Sequence, residues 1–310
     1  MDAQRLMLPD GRWHFQHGPI DIVVGADGHA AAVAHAHEVA WQRFRQVLAE
    51  LVSELPQLRQ PVHAMCGLSG VVARRMWHAC LPFSDQYITP MAAVAGAVAE
   101  ELLPAYQSEG VVRAWVNNGG DIALHLTPGQ HVRIGLFADL AQLDRSQLMQ
   151  GLRLDGNFDV TFDHPVRGVA TSGWRGRSFS LGIADSVTVL AATAAQADAA
   201  ATIIGNAVNV DDPRILRSPA CELVDNSDLG DMAVTVDVPE LAQQDVQFAL
   251  AQGRQRAQQL MDGGLIQACI LSCQGRLAVT LATALQPLSR GSINTDVESV
   301  DTAMLSFSFS

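Results

Sequence analysis

The chain has 310 residues, 48% of them hydrophobic and 17% charged, and a formal net charge of −12. That length and apolar content supply an ample core and exclude a disordered chain. The acidic balance excludes a nucleic-acid surface, which needs clustered Lys and Arg, and argues equally against an anionic membrane as partner; it leaves room for a cation where carboxylates converge.

Taken in chain order, "WHFQHGPIDIVVGADG" alternates as one or two strands ending in a Gly turn. From Ala31 to Leu55 apolar residues recur at helical spacing (Val33, Val39, Phe44, Val47, Leu48, Leu51, Val52) and Pro56 follows, which predicts a long amphipathic helix. "RRMWHACLP" reads as a further helical piece. "TPMAAVAGAVAEELLP" predicts a helix with Thr89 as N-cap, Pro90 at the first position and Pro104 at the end. One face of it, at 92–99, is almost all Ala and Gly, so it lines a cleft or packs closely on a strand.

"VVRAWVNNGGDIALHL" predicts a hairpin, because Asn and Gly tolerate the positive φ of a tight turn. Residues 131–137 add a strand, and the polar, poorly periodic 139–160 reads as a connection. "RGVATSGWRGRSFSLGIADSVTVLAA" gives two strands with a Gly-rich corner. Thr193 followed by Gln196 is a capping box that starts a helix at about Ala194. A loop at 211–230, a strand in "MAVTVDVP", a helix at 240–262 and a hairpin in "LIQACILSCQGRLAVTL" follow. Strands and helices mix without a βαβ rhythm, so the expectation is one α+β domain over 1–286 with antiparallel or mixed sheets and packed helices. A polar, partly disordered tail follows over 287–310.

Cys66, Cys80, Cys221, Cys269 and Cys273 are irregularly spaced with no CxxC pair, which points to reduced thiols in the cytoplasm. "MDAQRLMLPDGRW" lacks a signal-peptide core, and no uncharged apolar run reaches the roughly 20 residues of a membrane span. A homo-oligomer stays open.

Three stretches carry candidate chemistry. Asp198 and Thr202 lie one turn apart on one helix face, a hard-oxygen pair suited to Mg²⁺; Asp near a helix N-terminus and a Thr bonded to its own backbone are the structural alternative. In "NNGGD", Asn118, Gly119, Gly120 and Asp121 form a tip able to present N–H groups to a phosphate or ring edge. In "TSGWRGR", Thr171, Ser172 and Gly173 precede Arg175 and Arg177, and guanidinium is a good phosphate partner. No Ser-His-Asp arrangement or GxSxG is visible, and Cys66 reads as an inert thiol before a nucleophile.

The order of these motifs resembles the ApbE-type FMN transferases, and more closely their short cytosolic relatives. "NNGGDIAL", the Thr-Ser-Gly corner, "SVTVLA" and "ADAAAT" follow one another as in that family, over roughly residues 85–210. The resemblance implies a compact fold of T-fold kinship that takes FAD or FMN with Mg²⁺. It implies FMN transfer or FAD pyrophosphate cleavage. The family's metal-binding Asp and Thr fall on Asp198 and Thr202. Its His-Ile-x-Asp-Pro segment corresponds here to "SFSLGIADS", without histidine, and its Lys-Gly-Tyr-Ala to a stretch with neither Lys nor Tyr. An enzyme acting on a flavin nucleotide or another small anionic metabolite is the leading expectation. A non-catalytic flavin-binding protein and an enzyme of unrelated chemistry on the same scaffold stand beside it.

Overall fold

The computed structural model describes residues 2–136, 156–282 and 285. The strands, in chain order, are β1 (Gln4–Met7), β2 (Trp13–His17), β3 (Ile20–Gly28), β4 (Val111–Asn118), β5 (Asp121–Leu126), β6 (His131–Leu136) and β7 (Gly156–Thr161). They continue with β8 (Gly168–Ser172), β9 (Ser186–Ala191), β10 (Leu216–Pro219), β11 (Ala233–Asp237), β12 (Ala268–Cys273) and β13 (Arg276–Leu281). Nine of them make one antiparallel sheet in the order β1-β2-β3-β4-β5-β8-β9-β12-β13, and β6-β7 and β10-β11 are separate two-stranded ribbons. The α-helices of the described residues are α1 (Ala30–Ser53), α2 (Leu55–Leu58), α3 (Val71–Cys80), α4 (Val94–Leu102), α5 (Ala194–Ala207), α6 (Ala220–Leu223) and α7 (Gln243–Asp262). This is the expected α+β architecture.

Period-2 alternation sends the side chains of each central strand to two different cores. Ala114, Val116, Ala123, Ala170, Val187 and Val189 join the larger core under the helices. Trp115, Ile122, Leu124, Val169 and Leu190 join a smaller one that also takes Val132, Ile134 and Val160 from the β6-β7 ribbon. The sheet therefore carries a packed layer on each face, the helices lying over the larger core.

The helix expected at Ala31–Leu55 is α1, with a different stripe. Ala36, His37, Ala40, Trp41, Phe44, Val47 and Leu51 are buried, whereas Val39 and Val52 are 42% and 56% exposed. Phe15 of β2 meets Trp41 and Phe44 with ring centroids 5.2 and 5.4 Å apart, and burying one such ring contributes about 1.5–3 kcal/mol.

Three expectations are corrected. Thr89 does not cap α4 with its side chain. A 3₁₀ turn at Pro90–Ala93 intervenes and α4 begins at Val94, because the Thr89 hydroxyl donates instead to Asp228. Of the connection expected over 139–160, residues 156–160 belong to β7, whose ladder partner β6 is distant in sequence; 139–155 lie outside the described residues. The loop expected at 211–230 contains β10 and α6, each four residues long. The tail expected over 287–310 also lies outside the described residues. Among the described residues, no helix is long and apolar enough to cross a membrane, and all five cysteines are free.

Candidate functional site

The site begins with the hairpin between β4 and β5. Asn118 pairs with Asp121 across a two-residue turn. Gly119 and Gly120 occupy φ of +65° and +116°, a region closed to most L side chains. Asn117 Oδ1 accepts the Gly120 N–H at 2.9 Å and stiffens the turn. By strand alternation Asn118 and Asp121 share the helix-side face with Val116 and Ala123. Asn118 Nδ2 donates to the Ala95 carbonyl at 3.1 Å, which ties the hairpin to α4.

Opposite the hairpin stands α5. Thr193 is its N-cap and accepts the Gln196 N–H through Oγ1, as the capping signal predicts. The helix is buried at most positions from Ala194 to Gly205, while Asp198, Thr202 and Asn206 form a half-buried stripe at i, i+4, i+8. Gly96 allows the close approach of α4 to α5, since a Cβ there would lie 2.3 Å from the Ala194 carbonyl oxygen. At that contact Asp198 Oδ2 accepts the Gly96 N–H at 2.9 Å. Asp198 thus supplies the side-chain cap that α4 lacks at its own N-terminus.

Burial and the Asp198 charge both disfavour ionisation of Asp121. Burial raises the Asp121 carboxyl well above the carboxylate range, the Asp198 charge raises it further, and the Thr171 N–H (3.2 Å) and the Arg177 charge work against this. Burial raises Asp198 to about 7, with the backbone of Gly96 and Ala95 opposing. The Asp198 and Asp228 charges also help burial push the Cys80 thiol up.

The corner after β8 splits its residues between two faces. The Thr171 hydroxyl meets that of Thr188 at 3.0 Å, on the sheet face away from the helices, while its backbone N–H serves Asp121. Ser172 lies toward α5, its Oγ 3.7 Å from where a Cβ on Gly205 would stand. Gly173 is pressed against the Asp185 carbonyl, 2.3 Å from a built Cβ. Arg177 reaches the hairpin tip, its guanidinium filling the space a side chain on Gly119 would need. Arg175 turns elsewhere, with its guanidinium 4.9 Å from the Trp174 ring and Nε 3.8 Å from Asp185 Oδ1.

Asn118, Asp121, Asp198, Ser172 and Arg177 gather where the β4-β5 hairpin, α4 and α5 meet, with Thr202 one turn along α5 from Asp198, and the Thr171 side chain and Arg175 lie aside. Gly96 belongs to the small-residue face read from the sequence; Glu100 and Asp228 are not singled out there. Glu100 Oε2 accepts the Ala195 N–H of α5 at 3.3 Å. Asp228 fastens the loop after α6 to the segment before α4 through Tyr87 and Thr89. Long-range contacts such as these leave no local sequence signal.

Comparison with known proteins gives this geometry a family. The UPF0280 protein of Methanopyrus kandleri is 35% identical over 222 residues, 70% of this chain and 83% of that protein. The UPF0280 protein of Methanothrix thermoacetophila is 37% identical over 144 residues, 45% of this chain and 53% of that protein. Among solved structures, the ApbE protein of Thermotoga maritima shares the fold with a TM-score of 0.50 at 12% identity, over 93% of this chain and 99% of that one. The flavinyl transferase ApbE of Pseudomonas stutzeri gives a TM-score of 0.45 at 12% identity, over 94% of this chain and 99% of that one. The model of the AbpE bacteria family matches residues 5–279, and with that match and the UPF0280 relatives the chain belongs to this ApbE-like family.

Proposed function

We propose that the cleft binds a flavin nucleotide, FAD or FMN, and catalyses FMN transfer or FAD pyrophosphate cleavage with Mg²⁺. The observation that carries this reading is the pair of neighbouring carboxyls, Asp121 buried and Asp198 half-buried. Burial raises the proton affinity of both carboxyls and the Asp198 charge raises that of Asp121 further, a cost that a divalent cation would relieve. The donor set fits Mg²⁺, a hard cation that takes few protein oxygens and completes its shell with phosphate and water. Asp198 and Thr202 would hold the ion, which would neutralise pyrophosphate charge when bound. Asn118, Gly119 and Gly120 orient the ligand at the hairpin tip. Arg177 pairs with its anionic group, and Ser172 lies toward α5.

The absence of a histidine from "SFSLGIADS" supports a second reading, a flavin carrier without chemistry. Asp185 in that stretch is already engaged by the Gln274 N–H and faces Arg175, which leaves it poorly placed as a proton acceptor. Titration of the purified chain with FAD, with and without Mg²⁺, followed by chromatography for FMN and AMP, tests both. Mg²⁺-dependent binding with product formation supports the enzyme. Binding without turnover, with no flavin passed to a threonine-bearing acceptor protein, supports the carrier. No flavin binding in either condition refutes both and leaves another anionic metabolite as ligand.

A further inference from the structure

We propose that a groove away from the cleft, where the end of α5 and the start of β10 face α7, is a second binding site for a nucleoside monophosphate. The cavity measures about 690 Å³, within the range of small-molecule pockets. Arg217 and Arg256 both line it, as do Gln252, Gln255 and Phe248.

The case rests on how these arginines are left. All 20 basic residues of the chain are arginines, and many of those described are matched to carboxylates: Arg43 with Glu50 and Glu101, Arg113 with Asp27, Arg133 with Asp159, Arg214 with Asp212. Among the described residues Arg217 and Arg256 have no carboxylate partner. Arg217 Nη2 donates to Asn209 Oδ1 at 2.7 Å and Arg256 Nη1 to Gln259 Oε1 at 3.2 Å, neutral contacts that orient the guanidinium groups without neutralising them. Arg256 Nε is sealed from solvent and has no hydrogen-bond partner. Of the buried side-chain donors and acceptors without a protein partner, the Arg256 Nε is the one that belongs to a residue lining this groove, and a bound acceptor would satisfy it. A planar fork with free donors is suited to a phosphate.

The rest of the wall narrows the class. Phe248 is 54% exposed and offers a ring face to a flat group. Asp211 on the rim would repel a second anion but accepts hydrogen bonds from hydroxyl or amino groups. Asn209 and the glutamine amides serve both donors and acceptors. An anion, a planar ring and several hydroxyl or amino donors in one molecule describe a nucleotide with a single phosphate. Inorganic phosphate alone would leave most of the groove unfilled.

The test is calorimetric titration of the full chain with the four nucleoside 5′-monophosphates, the matching nucleosides and inorganic phosphate. At least one monophosphate is expected to bind saturably, at least tenfold tighter than its nucleoside or inorganic phosphate. Arg217→Gln and Arg256→Gln should each weaken it about tenfold, and Phe248→Ala should weaken the nucleotide while leaving inorganic phosphate unchanged. Asp198→Asn, which alters only the cleft, should leave this binding intact, so failure here is distinguishable from failure of the flavin reading. Phe248 is exposed and Arg217 half-buried, so their variants remain informative if Arg256→Gln does not fold. Absence of saturable binding by all four monophosphates overturns the proposal. So does binding that survives both Arg217→Gln and Phe248→Ala, or binding abolished by Asp198→Asn.

Discussion

Asp198 and Glu100 cap each other's helices. Asp198, on α5, accepts the Gly96 N–H in the first turn of α4, and Glu100, on α4, accepts the Ala195 N–H in the first turn of α5. Each carboxylate also lies near the positive end of the other helix's dipole. Glu100 is paired with Arg75 at 3.1 Å, whereas Asp198 has the Asp121 carboxylate as neighbour. One half of the exchange is thus paired with a cation, and the other has a second carboxyl beside it.

Asp198→Asn separates the two roles of this residue. The amide oxygen still accepts the Gly96 N–H, and the like-charge repulsion with Asp121 disappears. The metal-free variant should match or exceed the wild type in stability above about pH 7, where wild-type Asp198 is ionised. Asp198→Ala removes the cap as well and should be less stable than the Asn variant by about 1 kcal/mol. Thermal scans with and without Mg²⁺ measure both effects: the ion should raise the melting temperature of the wild type and leave the Asn variant unmoved. An equal Mg²⁺ shift in both proteins would reduce Asp198 to a cap.

The same pair sets a pH dependence. The Asp198 carboxyl, at 3.8 in the unfolded chain, is raised to about 7 in the fold. Between these values the folded chain holds a proton that the unfolded chain has lost, so this group's contribution to stability falls as pH rises through the window. His37 acts oppositely. Burial lowers it from 6.5 to about 4, so its contribution is present above 6.5 and is lost as pH falls toward 4. The difference in urea midpoint between Asp198→Asn and wild type, in chelator, isolates the first effect. It should widen in favour of the variant from about pH 5 to about pH 8. A difference that stays flat would mean that the carboxyl titrates normally.

Gly96→Ala should destabilise the chain by roughly 1–3 kcal/mol, because the new methyl meets the Ala194 carbonyl, a backbone atom that cannot rotate away. The small-residue face, expected to line a cleft or pack closely on a strand, meets a helix terminus as well. The tightest approach on that face is to the N-terminus of α5, with the β4-β5 hairpin held beside it through the Ala95 carbonyl. Chemical denaturation with an unchanged m-value measures the loss. A neutral Gly96→Ala would show that the two helices have room to separate.

What the sequence revealed was local. The Thr193 cap, the Asn-Asn-Gly-Gly turn and the long helix beginning near Ala31 are each decided by residues within a few positions of one another. The strand at 156–161 was overlooked because its alternation, Phe158 and Val160 between Asn157, Asp159 and Thr161, is short, sits at the end of a polar stretch, and gains its order from pairing with β6. Thr89 misled because a hydroxyl suited to capping found a stronger acceptor in Asp228, far along the chain. At the site, motif order placed Asp198 and Asp121 on the right elements. Their mutual electrostatics, the capping exchange with Glu100 and the turning of Arg175 toward Trp174 are tertiary facts with no periodic signal.

His37 and Tyr106 offer a stability test away from the cleft. His37 Nδ1 lies 2.9 Å from the Tyr106 hydroxyl, both groups are buried, and the rings meet edge-on with centroids 5.4 Å apart. Tyr106→Phe keeps the ring packing and strands the imidazole nitrogen, which should cost about 1–3 kcal/mol. A denaturation midpoint equal to wild type would show that water replaces the hydroxyl.

Arg177 is the cation available at the hairpin tip, and its reach depends on Gly119. A side chain there would collide with the guanidinium and would also have to adopt φ of +65°. Arg177→Gln should weaken binding of an anionic cleft ligand about tenfold or more, since a charge-assisted contact is worth about 1.5–3 kcal/mol. It should leave the melting temperature of the ligand-free chain nearly unchanged, because the side chain is solvent-exposed. Gly119→Ala should reproduce the loss of affinity by displacing the arginine, and should add a stability cost from backbone strain that Arg177→Gln does not carry. Arg175→Gln serves as the control: its guanidinium lies against Trp174 and Asp185, and its removal should leave cleft affinity within about twofold. Fluorescence titration with FAD in the presence of Mg²⁺ ranks the three variants. A larger loss from Arg175→Gln than from Arg177→Gln would transfer the anion contact to the other arginine and place the ligand on the Trp174 side of the corner.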